Sequence, residues 1–326
     1  MRMLDFSEIF ELTDTTTSSS NLDEVQGSVW EEKVIHYGEQ YRKFDQACII
    51  NTRMVNSGDK TVVFPKTTSH LDIDTAKSAG EAGLRDTTEL SDLDTVSATI
   101  AASDFKQGAI TISKEIAKTS RVDLVALARY KIGEALVQDV DTAIATALQS
   151  TTVTNTVYGG DATAVTDLAA EDVFNIDLIA DAKAQIRDAK FKPGMLFLGP
   201  THLKYLEKTG DIMKANEYGD QRPTLKGEIG EYDGLKIIET ENAPAYASSA
   251  TDTNEAASWA VAGKVGIMVG TQKNGEKCAA GLAWKEKPAI DYEYDKKRNK
   301  HWIYYDQCFK TVCIQPGAIS LIKTAN

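Results

Sequence analysis

Across residues 120–150 the apolar positions Val125, Ile132, Leu136, Val140, Ile144 and Ala147 recur every three to four residues, with Lys131, Glu134, Gln138 and Asp141 on the other side. This spacing predicts one long amphipathic helix, N-capped by the Ser120 hydroxyl with Asp123 three residues on. Its one glycine, Gly133, costs ~1 kcal/mol relative to Ala, which a helix of this length absorbs. At ~1.5 Å per residue the element is roughly 43 Å long. Such a rod suits a wall-spanning subunit better than the core of an enzyme.

The pattern elsewhere predicts shorter elements. Met3, Phe6, Ile9, Phe10 and Leu12 form an apolar peptide, followed at 13–21 by a Thr/Ser leash too polar to pack; docking on a neighbouring subunit and a frayed end both stay open. A helix is expected over 22–46, with Trp30, Val34, Tyr37, Tyr41 and Phe44 as its stripe, then strand over 49–64 with a turn at 56–59. Residues 66–94 are acidic and poor in apolar side chains, which reads as a projecting loop ordered by a neighbour. Alternation at Val96, Ala98, Ile100, Ala109, Ile110 and Ile112 predicts paired strands over 95–113.

Beyond the long helix, Gly159-Gly160 marks a boundary, and a helix spans 171–189. A buried strand at 195–198 leads into a helix at 202–208, capped by Thr201. A loop-like stretch (210–227), an Asp233-Gly234 turn, a strand at 235–239 and another at 259–269 follow. Ile290, Tyr292 and Tyr294 alternate with Asp291, Glu293 and Asp295; residues 296–300 turn, and 302–314 return as a hairpin. The class is α+β with discontinuous domains.

Composition narrows the function classes. The 326 residues fit about two domains, and the net charge of -12 argues against bulk attraction to nucleic acid or anionic lipid. The best apolar run, 256–269, is interrupted by Lys264, so no membrane span is expected. The first residues turn acidic at once, without a signal-peptide core. Four cysteines make no disulfide framework, and Cys308 and Cys313, five apart in a strand, fall on opposite faces; a reducing, cytoplasmic site of synthesis fits.

Candidate chemistry is sparse. His36, His70, His202 and His301 show no metal-ligand spacing, and Asp72-x-Asp74 lacks the glycine and closing glutamate of a calcium loop. Neither a nucleophile elbow nor a phosphate-binding loop occurs; Gly227-Glu228-Ile229-Gly230 has the wrong spacing and is flanked by acid. No cofactor, no metal and no catalytic set is expected, and the chain is expected not to be an enzyme. The basic turn at 296–300 suits a solvated hairpin tip or an acidic partner surface better than nucleic acid.

The order of these pieces resembles the major capsid proteins of tailed bacteriophages and archaeal tailed viruses, the Hong Kong-type capsid fold. The passage Ile110-Thr111-Ile112-Ser113-Lys114-Glu115 through Ser120 into Val122-Asp123-Leu124 resembles the family's entry into its spine helix. Phe197-Leu198-Gly199-Pro200-Thr201-His202-Leu203 and Tyr232-Asp233-Gly234-Leu235-Lys236-Ile237-Ile238-Glu239 are similar to axial-domain segments, and the hairpin 290–309 to returning peripheral-domain strands. The resemblance implies an N-terminal arm and helix (1–50), an E-loop (51–112), a discontinuous peripheral domain (113–157 and 285–316) and an axial domain (158–284 and 317–326).

It further implies a self-assembling shell of hexamers and pentamers enclosing double-stranded DNA that the subunits contact weakly. The protein would reside in the virion and assemble in the host cytoplasm, with a separate scaffolding protein, a portal and possible decoration proteins as partners. An encapsulin-like cage is the alternative within the same fold, and a soluble hydrolase using His202 or His70 the remote one. Because the family lays each E-loop across a neighbour's peripheral domain, Asp86, Glu89, Asp92 and Asp94 are expected to meet Lys296, Lys297, Arg298 and Lys300 of the adjacent subunit.

Overall fold

The computed structural model describes residues 43–55, 57–67, 93–120, 123–209, 231–232 and 234–325. The apolar peptide and leash, most of the 22–46 helix, the centre of the acidic loop and the 210–227 stretch lie outside them. Phe44–Ala47 form one 3-10 turn that enters strand β1 (Cys48–Asn51). Next come β2 (Thr61–Thr67), β3 (Leu93–Thr99), β4 (Phe105–Ser113), α1 (Lys114–Thr119) and α2 (Leu124–Leu148). Then follow β5 (Thr156–Tyr158), α3 (Ile176–Asp188), β6 (Lys192–Leu198), α4 (Pro200–Thr209), β7 (Glu231–Tyr232), β8 (Leu235–Glu239) and β9 (Ala245–Tyr246). The last four strands are β10 (Gly263–Thr271), β11 (Ala280–Asp295), β12 (Lys300–Cys313) and β13 (Ile319–Ala325).

Two sheets and a ribbon organise these elements. The first sheet runs β1-β11-β12-β4, with β1 parallel to β11 and the other pairs antiparallel. The second runs β5-β13-β10-β6-β8-β7, with β9 on β10. β2 and β3 form a separate antiparallel ribbon. The strands predicted over 95–113 therefore exist but do not pair with each other. A 3-10 turn at Ala102–Asp104 separates them, β3 joins the ribbon, and β4 joins the first sheet.

Helix α2 packs along the first sheet. Its 25 residues span ~37 Å, and its amphipathic stripe is buried at Ala128, Ile132, Leu136, Val140, Ile144 and Leu148. The cap differs from the expected one. Ser120 ends the short helix α1, its N–H donating to the Ile116 carbonyl, whereas Asp123 caps α2 by accepting from the N–H groups of Val125 and Ala126, both at 3.1 Å. Asp141, expected on the solvent side, is fully buried.

The second sheet is covered on both faces. Phe197, Ile238, Val265, Ile267, Val269 and Leu321 face a core shared with α2, Phe44 and the first sheet. Leu196, Leu198, Ile237, Met268 and Ile322 face the other way, beneath α3 and α4. Ala280–Trp284, at the start of β11, is likewise buried throughout. A doubly covered strand shows no polar alternation, which is why the pattern placed the hairpin's start only at Ile290. Gly159 and Gly160 follow β5 as a bend and a turn, with Gly160 at φ 58° and Gly159 N–H donating to the Lys323 carbonyl.

Candidate assembly surfaces

The β11–β12 hairpin carries the basic cluster on a turn built from its own side chains. Asp295 accepts from the N–H groups of Lys297 at 2.8 Å and Arg298 at 3.2 Å. Asn299 takes a left-handed conformation (φ 50°), a position that asparagine tolerates. The Tyr294 hydroxyl donates to Asn299 Oδ1 at 3.0 Å, and the Asn299 carbonyl accepts from Lys114 N–H at 2.9 Å. The turn is thus moored to the start of α1. Lys296, Lys297 and Arg298 project into solvent, with Arg298 Nε 3.9 Å from Asp295. Lys300 is half-buried as the first residue of β12, in register with Asp295 and Ser113.

Of the acidic residues expected opposite, Asp86, Glu89 and Asp92 lie outside the described residues. Asp94 has a side chain 54 % exposed and sits on β3, where Lys66, its partner in register on β2, stands 3.5 Å away. Within one subunit Asp94 therefore already has a cation, supplied by its own ribbon. The base of that ribbon is anchored by Val62, Phe64, Ala98 and Ile100 against Ala283 and Cys308 of the hairpin.

The structure adds two groups that spacing did not reveal. Asp141 Oδ1 accepts from the N–H groups of Lys43 and Phe44, and Oδ2 from Asn242 Nδ2, each at 2.9 Å. One carboxylate on α2 thereby fastens the incoming N-terminal segment and the loop after β8. Burial raises its pKa, and the hydrogen bonds from Asn242, Phe44 and Lys43 oppose that rise. The sequence did hold a signal: Asp141, Ala145 and Leu148 share one helical row, widening the stripe in the second half of α2.

The second group is a buried ionic cluster. Lys323 Nζ donates to Asp252 Oδ1 at 3.1 Å, Glu255 Oε1 at 2.5 Å and Asn254 Oδ1 at 3.3 Å. Asp252 also accepts from Trp259 Nε1 and from the N–H groups of Asn254 and Glu255. No motif announces it, because its members come from two segments about seventy residues apart.

Two of the four histidines, His202 and His301, lie among the described residues, and each meets a hydroxyl group. His36 and His70 lie outside the described residues. His301 Nδ1 is 2.6 Å from the Tyr292 hydroxyl on the neighbouring strand. His202 is buried with Nε2 3.0 Å from Thr324 Oγ1, and burial followed by the charge of Lys264 pushes its pKa down to about 4. A cleft of about 580 Å³ between α2 and strands β4 and β12 has Phe105, Ile110, Ile132 and Leu136 as apolar walls. Its carboxylate, Asp139, is held by Lys106 at 2.5 Å and Gln307 Nε2 at 2.7 Å. Among the described residues no group of side chains has a metal-binding arrangement, and no helix is long and apolar enough to cross a membrane.

Comparison with known proteins accounts for this architecture. A family model described as phage capsid protein matches residues 95–306, well over half of the chain. No curated protein sequence matches. Among solved structures, the mature capsid of bacteriophage PhiM1 superposes with a TM-score of 0.64 at 12% identity, covering 99% of each chain. The capsid of cyanophage P-SCSP1u gives 0.63 at 14% identity and 98% coverage of each. A structure of Mycobacterium phage Che8 gives 0.62 at 15%, covering 91% of this chain and 96% of the other. The fold is therefore the α+β Hong Kong-type capsid fold. The chain belongs to the phage capsid protein family and is a major capsid protein, a subunit of the multimeric shell of a virion.

Proposed function

We propose that copies of this chain form hexamers and pentamers that close into an icosahedral shell around the double-stranded DNA of a tailed virus. The observation that carries this reading is the end-to-end likeness to a mature phage capsid subunit, with 99% of both chains covered. In this reading the first sheet with α2 is the peripheral domain, the second sheet the axial domain, and the β2–β3 ribbon the base of the E-loop. The role is structural, and no catalysis is assigned. Assembly takes place in the host cytoplasm, with a separate scaffolding protein and a portal as partners and decoration proteins as optional ones. DNA contact is weak, in keeping with the net charge of -12. The viral reading stands ahead of an encapsulin-like cage because both the family model and the structural relatives are phage capsids.

The basic turn is proposed as an intersubunit contact in which Lys296, Lys297, Arg298 and Lys300 meet Asp86, Glu89, Asp92 and Asp94 of a neighbour. Two features support it: the turn is rigidly built, and three of its cations reach solvent. Electron microscopy of the purified protein, alone and with a supplied scaffold, tests the shell. Closed particles are expected, and small discrete oligomers under every assembly condition would refute it.

A further inference from the structure

His202 sits in the first turn of α4, a ten-residue helix, and is 1 % exposed. Three other elements close around its ring. Thr324 on β13 meets Nε2 at 3.0 Å, and the Phe174 ring, from the segment before α3, lies 4.9 Å from the imidazole. On β10 the niche is made by Gly266, where an added Cβ would stand 3.7 Å from Nδ1 and 3.0 Å from Leu198. Nδ1 has no hydrogen-bond partner among the described residues.

The surrounding charges all disfavour an imidazolium. β10 contributes Lys264, whose Nζ donates to Thr201 Oγ1 at 2.6 Å beside the ring. α4 contributes the positive end of its own dipole. On β13 the carboxylate-bound Lys323 precedes Thr324 and so points to the opposite sheet face, and the segment before α3 offers only the apolar Phe174 ring. The imidazolium carries a proton on both ring nitrogens whichever tautomer it comes from, so the charged ring always presents a buried Nδ1–H that no acceptor among the described residues meets, together with a charge beside a lysine.

We propose that His202 is an acid-sensitive clasp: neutral, it fastens α4 onto β10 and β13, and protonated, it releases the helix from the sheet. The pressure to open follows from linkage. A histidine held at about 4 in the closed state and free to titrate at 6.5 when open shifts the opening equilibrium on the order of 50-fold between pH 7 and pH 4.5.

The test uses the purified full-length chain. Hydrogen exchange of peptides from residues 200–209, corrected for intrinsic exchange, should show an opening equilibrium on the order of 50-fold larger at pH 4.5 than at pH 7, while α2 changes little. His202→Gln keeps a group able to bond Thr324 but cannot titrate, and should reduce the increase to less than about 3-fold, the removal of a single proton-linked step. Equal protection at both pH values, or the same increase in His202→Gln, overturns the proposal. Should that variant fail to fold, imidazole NMR of the unmodified chain decides. A His202 resonance titrating near the ordinary 6.5 overturns the clasp, and one titrating near 4 together with α4 amide shifts upholds it.

Discussion

Replacing Lys323 with Met tests whether the buried ionic cluster holds the second sheet together. Lys323 and Asp252 have fully buried side chains, and Glu255 is 21% exposed. Removing the ammonium leaves two carboxylates without their cation, while the methionine fills most of the aliphatic volume. Breaking one side of a buried pair costs ~3–5 kcal/mol. Asp252 retains three donors, from Trp259 Nε1 and two backbone N–H groups, and Glu255 keeps the Tyr158 hydroxyl. The expected loss therefore lies at the lower end, ~3 kcal/mol, a large share of a typical domain's 5–15 kcal/mol. Urea denaturation of the unassembled subunit, with the slope unchanged, measures it. Adding Asp252→Asn should recover part of the loss, because the asparagine oxygen still accepts from the backbone N–H groups and no uncompensated charge remains there. A loss below ~1 kcal/mol for Lys323→Met would refute the reasoning, since solvent would then be screening the cluster.

Four further outcomes are expected. Gly133→Ala should stabilise the subunit by ~1 kcal/mol in a thermal melt, because a Cβ there meets only Ile290 Cδ1 at 3.8 Å; a destabilised variant would show that α2 needs the glycine. Asp141→Ala should cost ~2–3 kcal/mol by orphaning the N–H groups of Lys43 and Phe44 and the Asn242 amide. The folded pKa of Asp141 is raised above its unfolded value, so its linkage contribution is present below 3.8 and is lost as pH rises through the folded pKa. Asp141→Asn should therefore compare more favourably with the parent at pH 7 than at pH 3.5 in urea melts, and a pH-independent difference would count against a buried, titrating carboxylate. Finally, Lys296→Glu, Lys297→Glu and Arg298→Glu together should hinder assembly scored by electron microscopy, and adding Asp86→Lys, Glu89→Lys and Asp92→Lys should restore part of it; no rescue removes the proposed contact.

The parts of this fold legible in the sequence are those with a local period. α2, α3 and the turn at 296–300 repeat or punctuate within a few residues, so their side chains announce them. What escaped depends on partners distant in the chain. The first half of β11 carries no alternation because the core shared with α2 covers one face and the β2–β3 ribbon the other, and β3 and β4 show the alternation of one hairpin although their partners differ. The pattern puts Asp141 toward solvent because charge is the better guess for water, and its burial is explained by distant donors, the backbone of residues 43–44 and the Asn242 amide. At the proposed contact, the basic turn was visible, whereas the claim of Lys66 on Asp94 needed the ribbon's register.

The place of β13 bears on how the protein is made. Residues 319–325 lie between β5 and β10, every one of them buried, yet they follow every other described element in the sequence. While a ribosome is still short of them, the nascent chain already carries its long helix and its basic hairpin tip, but its second sheet stays split between β5 and β10. The second sheet therefore becomes continuous only once these residues have been made. Chains terminated before these residues lack the strand that joins the two halves and are expected not to complete the second sheet.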